Sequence, residues 1–327
     1  MNKKLYFIDN KTLNPHFNLA LEEYLLTMKK TDFLMLWQND NTVVIGINQN
    51  AYEEINPEFI AKNKTTVVRR TTGGGAVYHD LGNINFSFIT ALDESGGFTI
   101  NDFTKPVIAA LYKMGVKAEA NGRNDITINN QKISGNAQRI YKNRILHHGT
   151  LLFKPDIANM SAALNVDKRK FESKSTKSVQ SRVVSVSDYV NTDISHFKAE
   201  LIKNLAEYFS LTKYSLTADD LKSVNELKNK YSNPQWTFRA AQPMNFHSSK
   251  RFDGGTLEIN LKVEDEFITS CRINGDFMAV SDISPLENAL TGTKFSPFEI
   301  RNKIAGLPLK NILGSITADE FMECIEK

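Results

Sequence analysis

The chain has 327 residues, 41% of them hydrophobic and 24% charged, enough apolar material for a large core in one or two soluble domains. Its 40 basic and 37 acidic residues leave a net charge of +3, too slight a bias to point to nucleic acid. No apolar run is long enough to cross a membrane, and "MNKKLYFIDNK" lacks the apolar stretch of a signal peptide, so a cytoplasmic protein is expected.

The opening reads as strand, turn and helix. "LYFIDN" is a short apolar strand, Asn14 and Pro15 mark a turn, and "NLALEEYLLTMKK" sets Leu21, Tyr24, Leu25 and Met28 at helical spacing. "DFLMLWQN" and "TVVIGINQN" predict two strands, the second broken at Gly46. "EEINPEFIAKNK" predicts a helix, and "TTVVRR" a strand running into Gly73, Gly74 and Gly75. Beyond the glycines, Asn83, Asn85 and Ser87 alternate with Ile84, Phe86 and Phe88, giving a strand with one polar and one apolar face. "DFTKPVIAALYKMG" is a further helix closed by Gly115.

The middle reads as a β meander of "DITI", "QKISGNAQRIY" and "ILHHGTLLF", with turns at "NN" and "KNR". Alternation predicts Lys132, Ser134, Asn136 and Gln138 on one face and Ile133, Gly135 and Ala137 on the other. It sets His148 and Thr150 together, opposite His147. Such polar rows either line a pocket or face solvent, and strand pattern alone does not separate the two. "VDKRKFESKSTKSVQSR" is basic and serine-rich and predicts a loop with a short helix. It is either a solvated stretch or one that steers acidic partners.

Two amphipathic helices follow, with N-caps expected at Asp193 and Thr217. The stretch "SNPQWTFRAAQPMNFHSSKRF", with Pro234 and Pro243, predicts the domain linker. After it a hairpin and three helices make a small α+β domain of about 80 residues. The expected division is 1–240 and 247–327. Cys271 and Cys324 are not in a CxxC pair and predict reduced, partly buried thiols.

Chemistry concentrates in two stretches. In "RRTTGGGAVYHDLGNINFSF", three bare glycines expose backbone N–H groups, and Arg69 and Arg70 supply planar forks of donors. Together they describe a phosphate cradle, although a glycine triplet is also a flexible turn. The stretch lacks both the Gly-Lys-Ser/Thr of a P-loop and the GxGxxG of a dinucleotide site. His79 and Asp80 form either an acid/base pair or a turn in which the histidine bonds to backbone. In "GRNDITINNQKISGNAQ", Lys132 is either a solvated lysine or a positive clamp, and Asp125 on the facing strand is a candidate partner for it.

Together with "HHGTLLF" and "KSVQSRV", these stretches resemble the lipoate–protein ligases, of the type with an accessory C-terminal domain. The resemblance covers most of the chain. It implies an α+β fold of the biotin/lipoate ligase type, akin to class II aminoacyl-tRNA synthetases, with a mixed sheet and flanking helices. It implies two steps: lipoate and ATP give lipoyl-adenylate, and the acyl group then passes to a lysine. The acceptors implied are the acyltransferase subunits of 2-oxo acid dehydrogenases and the glycine-cleavage H protein. By motif position Arg70, Gly75, Ala76, Val77 and Tyr78 should hold the nucleotide, and Lys132 should contact both the lipoate carboxyl and the α-phosphate. Asn83 and Asp125 on the nucleotide side, and His79, Ser134, His148 and Thr150 on the lipoate side, are expected to line the same site. Trp37 is either a wall of the acyl tunnel or a core tryptophan, and Lys177–Val183 resembles the segment that caps the adenylate. Mg²⁺ should accompany ATP, with ligands the sequence does not name.

Three rivals remain. An ATP-independent octanoyl or lipoyl amidotransferase of the same fold needs a nucleophilic thiol, and residues 1–270 contain no cysteine. A biotin ligase would carry an arginine-rich glycine loop, for which "NGRND" is a poor substitute. A binding module without catalysis would have no need of both Arg70 and Lys132.

Overall fold

The computed structural model describes residues 3–92, 99–122, 124–165, 183–239 and 243–326. The basic segment 167–182, and all of the Lys177–Val183 stretch except Val183, lie outside these residues.

Strands β1 (Lys3–Asp9), β2 (Phe33–Trp37), β6 (Asn83–Ala91), β7 (Glu119–Asn121), β8 (Asp125–Ile128), β9 (Gln131–Tyr141), β10 (Arg144–Leu152) and β11 (Phe209–Lys213) form one sheet. Its order is β11-β1-β2-β6-β10-β9-β8-β7. The β11, β1 and β2 edge is parallel and the remainder antiparallel. Asn129 and Asn130, both at positive φ, close the β8–β9 hairpin as "NN" predicted.

The two faces of this sheet are covered differently. Helices α4 (Ile100–Lys113) and α6 (Ile194–Leu205) pack Phe103, Val107, Phe197 and Leu201 against Phe86, Phe88, Leu34 and Leu151. On the opposite face lies α1 (Pro15–Thr27), whose first turn is capped by Asn14 accepting from Phe17 N. Its Leu19, Leu21 and Leu25 join Met35, Trp37 and Leu146. That face also carries a second sheet, β4-β3-β5, made of β3 (Thr42–Ile45), β4 (Thr66–Arg69) and β5 (Val77–His79). The gap between the two sheets holds a cavity.

The helix expected over "EEINPEFIAKNK" is two short ones, α2 (Ala51–Glu54) and α3 (Pro57–Asn63), because Pro57 cannot continue a helix begun before it. Helix α5 (Ile157–Ala163) packs beneath Tyr78 and Leu152. Helix α7 (Ala218–Ser232) takes its cap from Thr217, and α8 (Pro234–Phe238) lies within the stretch expected to be linker. The C-terminal unit is a three-stranded antiparallel sheet, β12 (Phe246–Phe252), β13 (Gly255–Glu264) and β14 (Phe267–Gly275). Helices α9 (Ser284–Leu290), α10 (Pro297–Ile304), α11 (Leu309–Leu313) and α12 (Ala318–Ile325) complete its separate core, which buries both cysteines.

Candidate active site

The two adjacent arginines do different work. Arg69 is fully buried, and its guanidinium donates to the carbonyls of Gly46, Ile47, Gln49, Trp236 and Thr237. Burial, then the nearby cations Arg239, Arg272 and Arg70, bring its pKa down to about 9. It ties α8 to the β3 turn and forms no part of a phosphate cradle. Arg70 lines the cavity and shapes the glycine loop from inside. It donates to Thr72 Oγ1 at 2.9 Å and to the carbonyls of Val44, Gly73 and Gly75 at 3.1, 2.6 and 2.9 Å. Burial lowers its pKa to about 10, which leaves it cationic at neutral pH. Gly46 is required here, since a Cβ on it would lie 2.1 Å from Gly74 O.

Lys132 reaches the cavity through a break in the β ladder. Ile126 pairs with Ser134, but the next residue, Thr127, pairs with Lys132, so Ile133 is an extra residue in β9. The bulge reverses the expected facing. Lys132 does not share a face with Ser134; it lies over Gly135, where a Cβ would come within 2.9 Å of Nζ. Ser134 is fully buried beside Ile126 and accepts from Asn136 Nδ2. Gln138 is engaged with His147 on the helix-covered side. Lys132 Nζ meets Asp125 Oδ1 at 2.7 Å, and both side chains remain about one-third exposed, at 36% and 34%.

From Lys132 the cavity runs across the sheet past Gly135, Thr150 and Asn85 to Trp37. Thr150 Oγ1 accepts from Gly135 N, Thr150 pairs with Asn85, and Asn85 pairs with Trp37. The path thus crosses β9, β10, β6 and β2, three strand spacings or roughly 14 Å. Leu19, Val44 and Val77 give it apolar walls. Its inner end is buried: Trp37 is 2% exposed and His79 3%.

Two hydrogen-bond networks hold this inner half. Glu22, on α1, accepts from Ser87 Oγ at 2.6 Å and lies 2.9 Å from His148 Nδ1. His148 Nε2 in turn meets Thr72 Oγ1 at 2.8 Å, which joins α1 to the glycine loop through one imidazole. The second network is a run of amides. Asn10 donates to Asn18, Asn18 to Asn39, and Asn39 Nδ2 lies 3.1 Å from His79 Nδ1. Burial, then Arg70 and His148, holds the His79 pKa at about 3. Asp80 turns away from His79 and accepts from Gly82 N and Asp156 N, so the two are not an acid/base pair.

A second cavity adjoins the first. Gly75, Ala76, Val77, Lys132, Gly135 and Thr150 wall both, and Tyr78, Leu152, Met160 and Leu164 belong to the second alone. The C-terminal unit completes the first. Gly74 N donates to Phe277 O at 3.1 Å and Ile140 N to Val280 O at 2.7 Å, and Met278 lines the cavity beside Gly74.

Residues 14–209 match the family model of the lipoyl protein ligase A/B catalytic domain, and residues 241–325 that of the bacterial lipoate protein ligase C-terminus. The chain belongs to the lipoate–protein ligase family. It is similar to the lipoate–protein ligase LplJ of Bacillus subtilis, at 40% identity over 98% of this chain and 100% of that one. Among solved structures it resembles P. falciparum LipL1 in complex with lipoate, at TM-score 0.81, 26% identity and coverage of 98% and 99%. It also resembles a lipoate–protein ligase A bound with ATP, at TM-score 0.62, 27% identity and coverage of 72% and 98%. As a member of this family the chain is a ligase, and its mixed sheet with helices and three-stranded C-terminal unit is the expected fold. No helix among the described residues is long and apolar enough to cross a membrane.

Against this ligase frame, Lys132, Arg70, Gly75, Ala76, Val77, His79, His148, Thr150 and Trp37 gather around one cavity, and Tyr78 faces its neighbour. Asp125 joins them through Lys132. Besides Asp125, two expected residues do not line either cavity. Ser134 is turned to the core by the bulge, and Asn83 is fully buried behind Asn85, donating to its Oδ1. Thr72 uses its hydroxyl on Arg70 and His148. Glu22, Asn39 and Met278 went unread. A glutamate next to Leu21 in an amphipathic helix reads as solvent-facing, and nothing in "NGDFMAV" marks Met278 as a wall.

Proposed function

We propose that Lys132 joins an acyl site to a nucleotide site, and that this lipoate–protein ligase makes lipoyl-adenylate there before transferring the acyl group to a lysine. The single observation carrying the reading is that Lys132 walls both cavities. In this reading the eight-carbon tail lies along the apolar path toward Trp37, the carboxyl meets the Lys132 ammonium, and the adenosine occupies the cavity of Tyr78, Leu152 and Met160. Attack of the lipoate carboxylate on the α-phosphate expels pyrophosphate; the carrier lysine amine then takes the acyl carbon and AMP leaves. The first attack brings two anions together. A fixed ammonium between them offsets that repulsion and stabilises the charge that develops. Asp125 holds the amine in place, and Arg70 fixes the glycine loop beside the phosphates by bonding the Gly73 and Gly75 carbonyls.

Mg²⁺ would arrive with the nucleotide. Among the described residues no group of three His, Cys, Asp or Glu is assembled to hold a metal. Glu54, which lines the second cavity, and Asp125, which reaches the first only through Lys132, are the carboxylates that would supplement the phosphate oxygens in holding the ion. Bound there, the ion would neutralise phosphate charge.

The acceptors we assign are lipoyl-carrier domains of 2-oxo acid dehydrogenases and H protein, and the compartment is the cytoplasm, which suits two unpaired thiols. Residues 1–240 are assigned as the catalytic domain and 247–327 as the accessory one, supported by the separate C-terminal core. A thioester route finds no support: Cys271 and Cys324 lie in that core, and neither is among the residues around the two cavities.

The test is mass spectrometry of a purified carrier domain incubated with ATP, lipoate and the protein, with Lys132→Ala as control. A lipoyl mass gain that needs ATP and is lost in the variant supports the reading. Modification without ATP, or undiminished in Lys132→Ala, would refute it.

A further inference from the structure

His79 and Asn85 line the inner end of the acyl cavity, and each carries a buried hydrogen-bond donor with no acceptor among the described residues. Asn39 Oδ1 already accepts from Asn18, so the Asn39 group facing His79 Nδ1 is the amide N–H. Nδ1 therefore accepts, and the ring proton resides on Nε2. His79 is neutral at working pH because burial opposes its second proton. Its Nε2 has no partner among the described residues. Asn85 repeats the pattern. Its Oδ1 accepts from Asn83, and its Nδ2, in a residue only 2% exposed, has no partner among the described residues.

Trp37 links the two. Its ring stands edge-to-face with His79 at 6.2 Å between centroids, and it pairs with Asn85 across β2 and β6. Its own N–H is engaged by Ser87 Oγ at 2.8 Å. This end of the cavity thus offers an aromatic ring and two unused donors.

We infer that His79 and Asn85 select an acyl chain whose far end carries a polarisable acceptor, the dithiolane sulfurs of lipoate, over a plain alkyl chain such as octanoate. The inference rests on the reading that this cavity takes the acyl chain. A buried donor left without an acceptor is costly, more so than the bond is favourable when made. A terminal methyl leaves both donors in that state. Sulfur is a weak acceptor and packs well against an aromatic edge, so a dithiolane relieves part of the cost. Sites built around buried donors reject analogues that lack the acceptor.

Pyrophosphate release with lipoate and with octanoate, alongside calorimetric binding of each acid alone, tests this in the full chain and in His79→Phe and Asn85→Leu. The full chain should prefer lipoate by about tenfold or more in kcat/KM. Each variant should narrow that ratio, mainly by improving octanoate. An octanoate bearing an 8-hydroxyl, which restores an acceptor, should regain part of the preference in the full chain and not in the variants. Equal use of both acids by the full chain, or variants that weaken both acids alike, would overturn the inference and leave the cavity's assignment standing. Failure of both acids to bind or to release pyrophosphate would overturn the two together.

Discussion

The ammonium of Lys132 and the carboxylate of Asp125 meet at 2.7 Å where the two cavities join. The pair is partly exposed, so its worth to folding is small, about 1 kcal/mol or less. In the proposed reaction its worth is positional. Lys132→Ala should lower lipoate-dependent pyrophosphate release by about a hundredfold or more while leaving the melting temperature close to that of the parent. Asp125→Asn should cost less, about tenfold, by loosening an amine that still carries its charge. Rates within threefold of the parent for Lys132→Ala would remove the residue from the chemistry.

Gly135 and Gly46 should separate catalysis from stability. A Cβ at Gly135 meets the tip of Lys132, which is flexible, at 2.9 Å. Gly135→Ala should therefore fold normally and displace the amine, with a loss of about tenfold in kcat. A Cβ at Gly46 meets backbone instead, and Gly46→Ala should destabilise the protein by about 2 kcal/mol or more. Urea unfolding beside steady-state kinetics reads both, and the idea fails if Gly135→Ala is unstable or fully active.

Acid should weaken the fold through its buried imidazoles. Burial holds His79 at about 3 and His147 well below its ordinary value, so in the unfolded chain both bind protons that the folded chain refuses. Their contribution to stability is complete above the unfolded pKa of about 6.5 and is lost as pH falls toward the folded value. The slope approaches about 1.4 kcal/mol per pH unit for each ring. Unfolding free energies from pH 7.5 to 4.5 should fall steadily, and His79→Gln should flatten the fall. A constant stability across that range would contradict the burial argument.

The thiols should be spectators. Burial pushes the Cys271 thiol well above its ordinary range and raises Cys324 as well, so little thiolate is present at neutral pH. Treatment of the native protein with a thiol-blocking reagent should leave adenylation and transfer intact. Loss of transfer with adenylation preserved would instead point to an acyl-thioester step.

Much of the site was legible because its chemistry sits in regular elements. Alternation correctly opposes His147 to His148 and Thr150, and the asparagine turn sets β8 against β9. The bulge at Ile133 was not legible, since an inserted residue leaves the composition of a strand unchanged while reversing the face of its neighbour. Nor does sequence distinguish Arg69 from Arg70: both are buried, and their partners separate them, carbonyls of α8 for one guanidinium and of the glycine loop for the other. β12 falls within the stretch expected to be linker because "FHSSKRF" is polar, as an edge strand open to water on one side tends to be.

The run of amides from Asn10 to His79 has a sense of direction, like a row of arrows. Reversing any one would oblige the next to turn, and the imidazole would then present a lone pair to the ligand where it now presents a hydrogen. Which of the two the ring presents is therefore decided partly at the half-buried Asn10, three links away.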